Sequence, residues 1–172
     1  MINDEIELEL IEAFVVNNSQ RIYCATSGGK DSTVIMHLTS MVYPDCLFIH
    51  NPKRETHPNT VEYLYKLGDR YNILYCKGSD MPLIIKKYGF LGQIDGTKRC
   101  EWNREGKSTD VIINGESVSR KIMDNNHWIN SGIWGIQNLY PILEWSDEKV
   151  FEYCKERNIP LSKEYGDEYG FV

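Results

Sequence analysis

Six consecutive residues, Ser27-Gly28-Gly29-Lys30-Asp31-Ser32, bring together the groups that hold phosphate. Adjacent glycines let the chain turn sharply with no Cβ in the way, so that successive amide N–H groups converge on an anion at a helix N-terminus. Lys30 adds a mobile positive charge, and Ser27 and Ser32 add hydroxyl donors. Asp31 is the odd member. A carboxylate beside phosphates is repelled unless it caps the helix or meets a cation, which makes Asp31 the candidate ligand for Mg²⁺.

Cationic residues cluster further along, at Lys98, Arg99, Arg104, Lys107, Arg120 and Lys121. Facing a phosphate, they would offset its charge; the alternative is a solvated basic face. Cys100 follows Lys98-Arg99, and neighbouring positive charge enriches the thiolate, so it is the candidate nucleophile among the cysteines, against an incidental thiol. The four histidines lack metal-ligand spacing; His50, just after a predicted strand, is the one that borders the expected cleft.

The elements that must position these groups alternate. Ile6, Leu10, Ile11, Phe14 and Val15 predict a helix ending near Asn17-Asn18, and Arg21 to Thr26 a short strand. Val34, Ile35, Leu38, Met41 and Val42 give a second helix its apolar stripe, stopped before Pro44. Cys46-Leu47-Phe48-Ile49 is a run suited to a strand buried on both faces. Pro58 to Tyr71 predicts a third helix with Val61, Leu64 and Tyr65 inward, Ile73 to Cys76 a third strand, Pro82 to Tyr88 a short helix, and Val111-Ile112-Ile113 a fourth strand. Gly89 to Lys107 shows no periodicity and reads as a long loop over the strand ends. Ser146 is placed to cap a last helix, with Asp147 and Glu148 in its first turn, Val150, Phe151 and Cys154 inward, and a stop at Asn158 before Pro160. This order predicts an α/β fold, a doubly wound, mostly parallel, Rossmann-like sheet with helices on both faces. Ligands of such sheets bind at the carboxyl ends of the strands, where the Ser27 to Ser32 loop lies.

At 172 residues the chain is expected to be a single domain, 1–172, with a full core. A composition of 41% hydrophobic and 26% charged residues is that of a soluble globular protein, and no apolar run approaches membrane-spanning length. The acidic start, Met1-Ile2-Asn3-Asp4-Glu5, is unlike a secretory signal, so a cytoplasmic location without membrane contact is expected. Five scattered cysteines do not describe a disulfide framework, and Cys24, Cys46 and Cys76 read as buried thiols. A net charge of -6 argues against nucleic-acid binding by this chain alone. Trp102, Trp128, Trp134 and Trp145 read as core or interface, and the run Gly132-Ile133-Trp134-Gly135-Ile136 as a candidate contact of a homo-oligomer.

The hexapeptide is neither a P-loop, which needs a glycine five positions before Gly-Lys-Ser/Thr, nor a GxGxxG fingerprint. Its pattern, SGGxDS, resembles the PP-loop of the adenine nucleotide alpha-hydrolase superfamily. Other segments resemble the phosphoadenosine phosphosulfate (PAPS) reductase family within it. Glu55-Thr56-His57-Pro58 is similar to that family's Pro-Glu-Thr segment, and Tyr140-Pro141-Ile142-Leu143-Glu144-Trp145-Ser146-Asp147 through Ile159-Pro160 to its closing motif. Val111 to Arg120, with Gly115-Glu116-Ser117, is similar to a shortened form of its strand followed by Gly, Glu-Ser and Arg. The resemblance spans about Ile22 to Tyr165.

It implies a nucleotide site made by Ser27, Gly28, Gly29, Lys30, Asp31, Ser32, His50, Lys98, Arg99, Gly115 and Arg120. Lys30, Arg99, Cys100 and Arg120 are its candidate catalytic groups. ATP, adenylyl sulfate (APS) or PAPS would be the ligand. The family's reductases use a cysteine in a C-terminal tail, and their iron–sulfur type needs Cys-Cys and Cys-x-x-Cys ligands; no cysteine follows Cys154, no two lie that close, and no cluster is expected. The resemblance therefore implies either pyrophosphate release from ATP with adenylyl transfer, or sulfonucleotide reduction with an external thiol donor, a partner protein or a further C-terminal tail. A non-catalytic nucleotide-binding module and a component of a nucleic-acid sulfur-modification system are the alternatives.

Overall fold

Apolar spacing sets the first half of the chain: α1 (Glu5–Asn17), β1 (Ile22–Ala25), α2 (Lys30–Val42), β2 (Leu47–His50), α3 (Pro58–Leu67), β3 (Ile73–Tyr75) and α4 (Met81–Tyr88) follow one another. The computed structural model describes residues 1–52, 55–102, 112–113, 116–117 and 127–169. The second half contributes β4 (Gly92–Ile94), a single helical turn α5 (Arg99–Trp102), β5 (Ile112–Ile113), β6 (Glu116–Ser117), β7 (Trp128–Ile129), β8 (Gln137–Leu139) and α6 (Asp147–Glu156).

Six strands form the main sheet in the order β3-β2-β1-β4-β8-β7. All neighbours are parallel except β7, which runs antiparallel to β8. The expected α/β doubly wound architecture is present, but its inner members differ from the expected ones. β4 lies inside the stretch read as a loop, between β1 and β8 at the middle of the sheet. Ile112–Ile113, expected as the fourth strand, instead forms a separate two-stranded antiparallel hairpin with Glu116–Ser117. The strand of the main sheet that is followed by glycine and basic residues is thus β4, leading into Gly96-Thr97-Lys98-Arg99.

Alternate residues of the strands point to two unequal cores. Ile22, Cys24, Phe48 and Ile94 join the larger one with Ile11 and Phe14 of α1, Val34 and Leu38 of α2, Leu64 of α3 and Val150 and Tyr153 of α6. Tyr23 and Ile49 face the smaller one, closed by Met81 of α4 and Phe90. The buried stripe of α3 is Thr60, Tyr63, Leu64 and Leu67. Val61 and Tyr65, expected inward with Leu64, are exposed because the helix is turned toward the stripe one residue behind them. On α1, Ile6 is likewise exposed. Buried Glu7 instead accepts from the Trp145 indole N–H at 2.8 Å, and Asp4 from the Tyr153 hydroxyl at 2.7 Å, which ties α1 to α6. Among the described residues no helix is long and apolar enough to cross a membrane.

All five cysteines are free thiols. Burial pushes the Cys46 and Cys154 thiols up to about 12, and raises Cys24 well above the ordinary thiol value. Cys76, expected to be buried, is half-buried.

Candidate functional site

Thr26 to Gly29 crosses from β1 to α2 in four residues. Gly28 takes φ +79°, in the left-handed region, and a Cβ there would lie 2.6 Å from Thr60 Cγ2. The loop is held from within. Ser32 Oγ donates to the Gly29 carbonyl at 3.1 Å and accepts from the Ser27 amide at 3.2 Å, while Thr33 Oγ1 donates to the same carbonyl at 2.8 Å. Gly29 is the N-cap of α2 and brings no side-chain cap. An anion can therefore take the place that a Ser or Asp cap would occupy. The Lys30 amide donates to the Tyr165 hydroxyl at 3.2 Å.

β2 and β4 pair with opposite edges of β1, so the sheet changes direction of winding at this loop. That is the topological switch point, where open α/β sheets bind ligands. A cleft of about 780 Å³ opens there. Its floor and walls come from the loop, from His50, Glu55 and Thr56 beyond β2, and from Asp95, Gly96 and Thr97 beyond β4. Gly96 passes against the first turn of α2; a Cβ on it would lie 2.9 Å from the Asp31 carbonyl carbon.

At the cleft wall, two lysines and three carboxylates of the described residues form one cluster. Lys98, fully buried, lies 2.7 Å from Asp31, 2.9 Å from Asp147 and 3.1 Å from Glu101. Lys30 lies 3.2 Å from Asp31 and 3.1 Å from Asp147. Burial works against the Lys98 ammonium, but its bonds to Asp31 and Asp147 and the charge of Glu101 outweigh it and hold its pKa above the ordinary lysine value. Asp31 does not fit the metal role expected of it, because its two oxygens face two ammonium groups. Among the described residues no cluster of three His, Cys, Asp or Glu side chains is placed to hold a metal ion.

The expected site residues separate into three groups. Ser27, Gly29, Lys30, Asp31, Ser32 and His50 line the cleft, with Gly28 supporting the turn. Lys98 is turned into the carboxylate cluster rather than toward the cleft; Arg99 pairs with Glu144 at 2.8 Å; and the Cys100 thiol lies 3.7 Å from the Trp145 carbonyl. Neither Arg99 nor Cys100 lines the cleft. Gly115 and Arg120, with Arg104, Lys107 and Lys121, lie outside the described residues.

His50 is committed to the fold. Its Nδ1 lies 2.8 Å from the Thr26 carbonyl, which can only accept, so Nδ1 donates. Nε2 faces the Thr56 hydroxyl at 3.2 Å. Asp95, Asp147 and Tyr165 were not singled out as site residues from the sequence. Desolvation raises the Asp95 carboxyl pKa, with bonds from Thr97 and Gln93 acting against it. A first-turn acid on a capped helix was the one available signal for Asp147; Asp95 and Tyr165 gave none.

The doubly wound α/β sheet, with an uncapped Gly-Gly-Lys loop at its switch point, matches the Rossmann-like adenine nucleotide alpha-hydrolase fold. Residues 21–83 match the family model described as the phosphoadenosine phosphosulfate reductase domain. A PAPS reductase from Candida auris, solved as a phosphate complex, superposes with a TM-score of 0.64 at 17% identity, over 96% of this chain and 90% of that one. Yeast FAD synthetase, in complex with FAD, gives 0.62 at 13% identity over 95% of this chain and 62% of its own. Candida glabrata FMN adenylyltransferase, in complex with ATP, gives 0.58 at 13% identity over 94% and 58%. The chain spans about three fifths of those last two proteins. No curated protein matches the sequence. The family match takes in the Ser27 to Ser32 loop and the Glu55-Thr56-His57-Pro58 segment, and the fold is shared with these solved structures.

Proposed function

We propose that this chain binds an adenine nucleotide in the switch-point cleft and acts at the α-phosphate of ATP, releasing pyrophosphate and passing the adenylyl group to an acceptor. The observation that carries this reading is the glycine N-cap of α2, which leaves the helix start without a side-chain cap directly above a lysine. The phosphates would lie on Gly28 to Ser32. Lys30 would exchange aspartate for phosphate as charge grows on the leaving pyrophosphate, and backbone groups at the ends of β1 and β2 would receive the base. The fold's neighbours support the reaction class: the FMN adenylyltransferase was solved with ATP, and also with FAD and inorganic pyrophosphate.

A second reading, reduction of a sulfonucleotide, is favoured by the family match over 21–83. Cys100 lies away from the cleft lining, so the electrons would come from an external thiol donor or from a cysteine in a further C-terminal segment, within cytoplasmic sulfur metabolism.

Incubation with ATP, and separately with adenylyl sulfate or PAPS plus a dithiol, distinguishes the two. Pyrophosphate supports the first and sulfite the second, each abolished by Lys30→Ala. Tight nucleotide binding with no product would leave a non-catalytic module, and salt-dependent binding of nucleic acid would favour a nucleic-acid sulfur-modification role. Failure to bind any adenine nucleotide overturns all of these readings.

A further inference from the structure

The β4 side of the cleft carries a buried polar relay that packing does not require. Tyr23 and Gln93 sit side by side in the β1–β4 ladder and are 1% and 4% exposed. The Tyr23 hydroxyl donates to Gln93 Oε1, which fixes the orientation of the amide. Gln93 Nε2 therefore points at Asp95 and donates to Oδ2 at 3.2 Å, while the Thr97 amide donates to Oδ1 at 2.8 Å. A carboxylate has about four lone-pair sites; with a third bond, from the Thr97 side chain, about one is left for a partner. Asp95 lines the cleft, so that partner can be a ligand. His50, at the end of β2, has both ring nitrogens engaged inside the protein. The two strand ends that flank β1 thus differ: one is closed on itself and the other holds an oriented acceptor.

A group that meets Asp95 must donate, so it is a hydroxyl or an amine and not a phosphate. Its distance from the loop says which part of a nucleotide that is. Cys24 pairs with Ile94, which places Asp95 beside Ala25, one strand spacing of about 4.8 Å across the floor. The loop that would hold the 5′-phosphate begins just beyond Ala25. A sugar one ester bond from that phosphate would lie over the Ala25–Asp95 floor. Dinucleotide folds use an acidic side chain in the same way, to bind a ribose hydroxyl and turn away its phosphorylated form.

We infer that Asp95 binds a ribose hydroxyl and that the cleft selects adenine nucleotides with free ribose hydroxyls over 3′-phosphorylated ones. This rests on the nucleotide reading above. It makes ATP or adenylyl sulfate the substrate class and sets PAPS aside.

Calorimetric titration with adenosine 5′-monophosphate (AMP), its 3′-deoxy analogue and adenosine 3′,5′-bisphosphate tests it at fixed ionic strength. The wild-type protein is expected to bind AMP at least about tenfold more tightly than either other ligand, the scale of one hydrogen bond to a charged group. Asp95→Asn should weaken AMP by about tenfold, leave the 3′-deoxy analogue unchanged and erase the preference over the bisphosphate. Tyr23→Phe, which frees the Gln93 amide, should erode the same preference by a smaller factor. The ligand comparison on the wild-type protein holds even where a variant fails to fold. Nucleotides that bind with no preference, or a preference that survives in Asp95→Asn, overturn this inference alone. If none of the three binds, the nucleotide reading falls with it.

Discussion

Lys30 and Lys98 reach the same two carboxylates, Asp31 and Asp147, one from the start of α2 and the other from the turn after β4. Lys98 makes the shorter contacts, adds Glu101 at 3.1 Å and has no exposed surface. Lys30 makes the longer ones, keeps 14% of its side chain exposed, lies over the Phe151 ring and lines the cleft. One cation therefore compensates a buried acidic group, and the other is placed to leave it. That division explains how an aspartate stands in an anion-binding loop: its charge is matched from below, so Lys30 can serve a ligand without stranding Asp31.

The largest effect should come from breaking the buried member. Lys98→Met takes the shortest ion pairs from Asp31 and Asp147, and a loss of about 3–5 kcal/mol is expected in urea unfolding. The sign of the pH dependence follows from the raised Lys98 pKa. Its contribution is complete below 10.5, the unfolded value, and is lost as the pH rises toward the folded one, so wild type and variant should converge above 10.5. A small change in Lys98→Met would mean that the cluster does not share its charge as described.

Gly96→Ala should come next. Its Cβ would meet backbone rather than a movable side chain. The expected cost is about 1–3 kcal/mol, read as a lower Tm, together with weaker nucleotide binding because β4 and α2 are pushed apart at the cleft. Lys30→Ala should invert the pattern of Lys98: about 1 kcal/mol of stability, but at least about tenfold in nucleotide affinity by calorimetry. Equal effects of the two lysine variants on affinity would erase the distinction between them. The smallest effect is expected for Ser146→Ala. Ser146 caps α6 by accepting from the Lys149 amide at 3.1 Å, so its loss should cost about 1 kcal/mol or less in thermal unfolding and leave affinity intact.

The half of the molecule around the loop was legible in the sequence because its elements carry their own signals. β-Branched and aromatic runs mark β1 and β2, and spaced aliphatics mark α2. β4 is Gly-Gln-Ile and β8 is Gln-Asn-Leu, three residues each, and neither has a hydrophobic period to read. Their neighbours supply the apolar surface instead. Gly92 has to be small, since a Cβ would lie 2.5 Å from the Phe14 ring, and buried Asn138 is satisfied by the Ile133 amide at 2.9 Å and the Ile136 carbonyl at 3.1 Å. With β4 hidden, Asp95 had no address at a strand end. The ion pairs of Lys98 were hidden for a different reason: a positive charge looks the same in a sequence whether it faces phosphate or carboxylate, and its partners Asp31 and Asp147 lie 67 residues before it and 49 after it.

The Tyr165 hydroxyl, resting on the Lys30 amide, has a consequence for any measurement of affinity. A phosphate that claims this N–H must first displace the phenol, so the observed binding constant reports a competition between an internal and an external acceptor. Removing the internal one in Tyr165→Phe should tighten nucleotide binding about fivefold, the worth of one neutral hydrogen bond of about 1 kcal/mol. The turn Lys163–Tyr165 is anchored to α3 through Glu164 and Thr60 at 2.9 Å, so a tenant of the loop should also loosen the chain's last turns and quicken their cleavage by protease.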